Sequence, residues 1–117
     1  QTLKETAFRE AFEEVGLRKE KLRSIGALSW LYIPPSNFYV EPYVTYSSKY
    51  PELVLQKEEV AYTLSIPLVK ICDRSLLRDA EVVTKYGPMR VPAFHWQGEV
   101  IWGATAMILG ELSALFS

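Results

Sequence analysis

Arg9, Glu10, Glu13 and Glu14 crowd into six residues of the stretch FREAFEEVGL at 8–17. A helix turns the chain by about 100° per residue, so Glu10, Glu13 and Glu14, at i, i+3 and i+4, share one face. Three carboxylates on one face can do one of two things. They can form an ordinary solvated polar face, or they can offer hard oxygen ligands to a divalent cation. Arg9 stands one turn ahead of Glu13 and can pair with it, which relieves part of the repulsion. Phe8, Ala11, Phe12 and Val15 recur at helical spacing and point almost the opposite way. Gly16 is a natural stop, because glycine takes the left-handed conformation cheaply. Geometry alone leaves both readings of the acidic face open.

Few other residues invite chemistry. Glu58 and Glu59 open the run EVAYTLSIP, where a charge at a strand entry commonly faces solvent. His95 is the single histidine. Its ordinary pKa near neutrality permits a general-base role, and a half-buried strand histidine is the plainer reading. Trp30, Tyr32, Tyr39, Tyr43, Trp96 and Trp102 can stack a planar ring, yet strand aromatics are more often core, and no role is assigned to them. Cys72, the lone cysteine, cannot form an internal disulfide and reads as a small core residue. It fits a reducing, cytoplasmic compartment.

The elements that must position these residues follow from the pattern. Periodicity predicts a helix over 2–15, then a polar connector, LRKEKLRS. Residues 25–32 and 38–46 are rich in strand formers, with Pro42 marking an edge or bulge. Between them IPPSN, 33–37, must be a loop, because Pro34 and Pro35 cannot donate to a ladder. Short strands are expected at 53–56 and 59–67, one helical turn at LVKICD, and a hairpin of 80–86 with 90–96 around Gly87-Pro88. Gln97-Gly98 is a turn, EVIW a strand, and a last helix begins at Gly103. Helix, about six strands, helix is an α+β order with a mixed or antiparallel sheet.

Bulk composition narrows the function. A chain of 117 residues suits one domain, 1–117. Thirteen basic and fourteen acidic residues give a net charge of −1, which makes no electrostatic case for nucleic acid or an anionic membrane. VIWGATAMILG, the longest near-apolar run, is too short to span a bilayer, and no basic-then-apolar leader is visible.

The order of residues 9–17, REAFEEVGL, resembles the second half of the Nudix box: Arg-Glu-apolar-any-Glu-Glu-any-Gly-apolar. All fixed and both apolar positions are met. Two further stretches, LYIPPSNFYVEPYV at 31–44 and VIWGATAMIL at 100–109, resemble the bacterial coenzyme A diphosphatase branch of that family. The resemblance implies a Nudix-like mixed β-sheet sandwiched by helices. It implies divalent-metal-dependent hydrolysis of a diphosphate bond, with Mg²⁺ or Mn²⁺ as cofactor. Coenzyme A, cleaved to 4′-phosphopantetheine and adenosine 3′,5′-bisphosphate, is the leading substrate. By the same resemblance Glu10, Glu13 and Glu14 are metal ligands, Glu13 also serves catalysis, Arg9 orients the acids, and Gly16 closes the helix. Glu59 is a fourth acid, aiding metal binding or accepting a proton from water. The IPPSN loop is either a rigid connector or part of the cleft wall, and IWGATAMIL reads as core.

The first half of the box has no counterpart here. Gln1 takes the place of its glutamate, and the expectation is that the glycine-bearing loop and the preceding strands lie ahead of Gln1. A chain without those strands exposes sheet edges, which invite pairing with another copy, so a homodimer or swapped oligomer is expected. The contrasting reading is a non-catalytic Nudix-like binding module, since fold does not fix function.

Overall fold

The computed structural model describes residues 2–33 and 37–116. Gln1 and Pro34–Ser36, the centre of the expected IPPSN loop, lie outside the described residues. The chain divides into two compact units, Gln1–Leu64 and Ser65–Ser117.

In the first unit, helix α1 covers Leu3–Val15. Thr2 starts it with a capping box: its hydroxyl accepts from the Glu5 N–H (3.1 Å), and the Glu5 carboxylate accepts from the Thr2 N–H (3.3 Å). Gly16 stops it at φ 77°. The Gly16 N–H reaches the Phe12 carbonyl (2.9 Å) and the Leu17 N–H the Ala11 carbonyl (3.4 Å), which satisfies two end carbonyls. The apolar stripe is only partly covered: no α1 residue is fully buried, and the Arg18 guanidinium lies 5.6 Å above the half-exposed Phe12 ring.

Four short strands follow α1. β1, Arg23–Ala27, pairs antiparallel with β4, Tyr43–Tyr46, with a bulge between Ser24 and Gly26. β2, Leu31–Ile33, pairs antiparallel with β3, Phe38–Val40. Each long strand expected from the sequence, 25–32 and 38–46, is therefore broken in two. Pro42 supplies the reason. It has no N–H to give a ladder, and its carbonyl instead accepts from Leu28 (2.9 Å), the one buried hydrophobic residue among the described residues of this unit.

The strands expected at 53–56 and 59–67 are not there. The N–H groups of Val54 and Gln56 go to the carbonyls of Val15 and Glu14 at the end of α1, so this segment is tied to a helix terminus and joins no sheet. Residues 57–59 form a turn, and 60–67 carry no strand or helix. β-branched and aromatic residues favour a strand only where a neighbouring strand accepts them.

The second unit opens with α2, Leu68–Ile71, the expected single helical turn, and a 3₁₀ turn at Arg74–Leu76. Three antiparallel strands come next: β5 (Leu77–Thr84), β6 (Gly87–Trp96) and β7 (Glu99–Trp102). The expected hairpin is present, but Lys85 and Tyr86 make its turn, and Gly87-Pro88 already belongs to β6. Gln97 (φ 45°) and Gly98 (φ 82°) join β6 to β7 in the expected two-residue turn. Helix α3, Ala104–Leu115, closes the unit. Ala93 and Phe94, on β6 between its two neighbours, are its buried core.

The class is thus α+β. Of the mixed and antiparallel alternatives, every pairing among the described residues is antiparallel. Among those residues no helix is long and apolar enough to cross a membrane.

Candidate functional site

The acidic face of α1 forms one wall of an open cleft of about 460 Å³, lined by Glu10, Glu13, Glu14, Gln56 and Glu59. Four of the five are carboxylates. Three come from one face of α1, as the spacing requires. The fourth arrives by a different route. The Val54 N–H donates to the Val15 carbonyl at 2.9 Å and the Gln56 N–H to the Glu14 carbonyl at 2.7 Å. The Gln56 carbonyl then accepts from the N–H groups of Glu59 (2.9 Å) and Val60 (2.8 Å). This tight turn brings Glu59 to the helix face. Glu59 therefore reaches the cleft from a turn and not, as expected, from the mouth of a strand.

Gly16 makes that approach possible. A Cβ on it would lie 3.0 Å from the Val54 nitrogen, 3.1 Å from the Val54 Cβ and 3.3 Å from the Val54 carbonyl oxygen. Its positive φ already disfavours any other residue. One glycine thus ends the helix and admits the segment that carries Glu59.

Arg9 behaves as its position suggests. Its guanidinium lies 3.2 Å from one Glu13 oxygen and 3.5 Å from a Glu10 oxygen. All three side chains are about half exposed, so these pairs add little to stability. Neither contact involves Glu14, which sits in the last helical turn, where no basic residue stands and the helix dipole is itself negative.

The charge burden shows in Glu14. Its carboxyl is held above its ordinary value of 4.5, first by partial burial, then by the charge of Glu10 and that of Glu59. A side-chain hydrogen bond with Glu10 and the Glu13 charge act in the same direction. Like charges that hold the Glu14 carboxyl up in this way are relieved by a cation. The donors are all hard oxygens, which suit Mg²⁺ or Mn²⁺, so the residues present fit such an ion. Among the described residues, no group of three or more His, Cys, Asp or Glu side chains is yet gathered tightly enough to hold one. Glu10 and Glu13 are half exposed.

No family model matches the chain. Over 117 residues, 97% of its length, it is 30% identical to a protein of Pectobacterium atrosepticum named uncharacterized Nudix hydrolase NudL, of which the match covers 58%. It is 31% identical over 108 residues, 92% of its length, to a protein of the same name from Photorhabdus laumondii subsp. laumondii, of which 57% is covered. The likeness is to proteins named as Nudix hydrolases. The chain spans a little under three fifths of the length of the curated relatives it matches.

Beside that likeness, the structure brings Arg9, Glu10, Glu13, Glu14 and Glu59 together, and adds Gln56. Gln56 was not legible as a cleft residue. Its place depends on a long-range backbone pairing, and only its position three residues before Glu59 hinted at it. His95 is elsewhere, in the second unit. It is half buried on β6 with its Nε2 3.0 Å from the Arg78 carbonyl oxygen, so that nitrogen donates across β5 and β6. Cys72 is half buried, its Sγ 3.9 Å from the Ser113 carbonyl oxygen. On the β2–β3 hairpin, Tyr32 and Tyr39 are cross-strand partners with ring centroids 5.0 Å apart. The Tyr32 hydroxyl donates to the Asn37 side chain at 2.7 Å.

Proposed function

We propose that the whole protein is a Nudix-type pyrophosphohydrolase that hydrolyses a diphosphate bond in a nucleoside diphosphate derivative. Coenzyme A is the leading substrate, cleaved to 4′-phosphopantetheine and adenosine 3′,5′-bisphosphate. The observation that carries the reading is the cleft in which the three glutamates of the REAFEEVGL stretch meet Glu59. The substrate rests on the resemblance of residues 31–44 and 100–109 to the coenzyme A diphosphatase branch.

Glu10, Glu13 and Glu14 would hold Mg²⁺ or Mn²⁺, and Arg9 would keep Glu13 and Glu10 aligned through its two contacts. When bound, the ions supply neutralising charge to the diphosphate and lower the pKa of an attacking water. Glu59, which lines the same cleft, would take the proton from that water or complete the ligand set. The cleft is open and rich in carboxylate, so it repels a bare diphosphate and admits one only with its counter-cations.

Incubation of the whole protein with coenzyme A and Mn²⁺ tests the substrate. Release of the two named products, abolished by a chelator, supports it. Turnover of other nucleoside diphosphate derivatives with coenzyme A left intact would keep the reaction and reject the substrate. The second reading, a binding module without catalysis, draws on the looseness of the carboxylates. It is the outcome if no diphosphate is cleaved while the ligand still binds.

Self-association belongs to the same proposal. β1–β4 and β2–β3 are two-stranded pairs, and Phe38, Tyr39 and Tyr46 on them are more than half exposed. A dimer or swapped oligomer of this chain is expected in sedimentation equilibrium, and a monomer at high concentration would contradict it.

A further inference from the structure

We infer that Gly16 and the main chain of Val54–Gln56 are a positioning device for Glu59, so that the stop of α1 also sets the fourth carboxylate of the cleft. The inference rests on the proposed metal-dependent reading of that cleft and goes beyond it in assigning residues that do not touch the ion. A Cβ at Gly16 would be tight against Val54, whose backbone nitrogen and oxygen stand 3.0 and 3.3 Å from its position. These are main-chain atoms and cannot swing aside as a side-chain end does. A methyl group at 16 therefore pushes the segment outward and loosens the bonds from Val54 to Val15 and from Gln56 to Glu14. The turn that follows is anchored on the Gln56 carbonyl, which accepts from both Glu59 and Val60, so displacement at 54–56 is passed to Glu59. The two helix carbonyls used belong to the last turn of α1, which would otherwise need water or a cap. The helix end and the placement of Glu59 thus share the same hydrogen bonds.

The test is Mn²⁺ binding to the whole protein, read by calorimetry or by the loss of the free-ion paramagnetic signal, with no substrate present. Glu59→Gln sets the scale. Gly16→Ala is one perturbation. Gln56→Pro is the other: it deletes the N–H donated to Glu14 and leaves α1 untouched, and so serves if Gly16→Ala does not fold. Each is expected to weaken Mn²⁺ binding roughly tenfold, as loss of an outer support for a ligand does. Combined with Glu59→Gln, each is expected to add nothing further, because the support acts through Glu59. Native affinity in both Gly16→Ala and Gln56→Pro would overturn the inference, as would losses that multiply in the double variants. Native affinity in Glu59→Gln would overturn it too, since the segment would then have no ligand to place. The metal reading itself is judged apart from these, by Glu13→Gln, which removes Mn²⁺ binding if that reading is right.

Discussion

The Gln56 N–H donates to the Glu14 carbonyl at 2.7 Å, and through this one bond a loop residue and a helix terminus share the acidic cleft. The bond uses a carbonyl left open at the end of α1. It holds Gln56 beside the glutamates while the turn after it delivers Glu59. The cleft is therefore made by the helix and by a segment without regular structure, and its integrity depends on how closely the two backbones approach.

Gly16→Ala is expected to destabilise the fold by about 1–3 kcal/mol, the cost of holding a residue with a Cβ in the left-handed region plus the contact with Val54. Urea unfolding of wild type and variant measures it. A loss below about 0.5 kcal/mol would mean that the segment at Val54 yields without cost.

Glu14→Gln tests the charge burden of the cleft. The Glu14 pKa is raised in the folded protein above its ordinary 4.5, so the folded state holds that proton more tightly than the unfolded one. The stability that this proton contributes is fully present below 4.5 and is lost as pH rises through the raised value. Glutamine imitates the protonated acid. In metal-free buffer Glu14→Gln is expected to unfold at higher urea than wild type at neutral pH, with the difference closing on acidification below 4.5. An equal midpoint at both pH values would remove the electrostatic argument.

How much of this was legible before the fold was seen depends on the range of each interaction. α1, its glycine stop, the Arg9–Glu13 pair and the shared face of Glu10, Glu13 and Glu14 follow from helical spacing, which is local. The β5–β6 and β6–β7 hairpins were legible for the same reason. The capping box of Thr2 and Glu5 is written in the sequence as Thr-x-x-Glu. The strands at 53–56 and 59–67 failed because their residues have strand propensity and no strand beside them. The N–H groups of Val54 and Gln56 go to α1, a choice made by tertiary contact. Pro42 announced a break in its own run, yet that the break also splits 25–32 depends on Leu28 bonding to its carbonyl. The placement of Gln56 is of this long-range kind, and its position three residues before Glu59 is the one local hint of it.

Phe94 and Val83 lie on paired strands of the second unit and should behave very differently. Phe94 is 4% exposed and Val83 is 83% exposed. Phe94→Ala is expected to cost about 3–5 kcal/mol, from lost burial and the cavity left behind. Val83→Ala should stay within about 0.5 kcal/mol of wild type. Urea midpoints of the two variants give the comparison, and near-equal losses would contradict the placement of the core on β6.

Glu13 lines the cleft and pairs with Arg9, so its substitution is the most direct test of the hydrolase reading. The measurement is the rate of diphosphate cleavage by the whole protein with Mn²⁺, for wild type and Glu13→Gln, followed by phosphorus NMR with oxygen-18 water to mark the bond broken. Wild type is expected to place one water oxygen on a single product phosphate. The variant is expected to lose on the order of 10²-fold or more in rate while remaining folded. An unchanged rate in Glu13→Gln, with the protein intact, would show that the carboxylates of α1 do not carry the reaction.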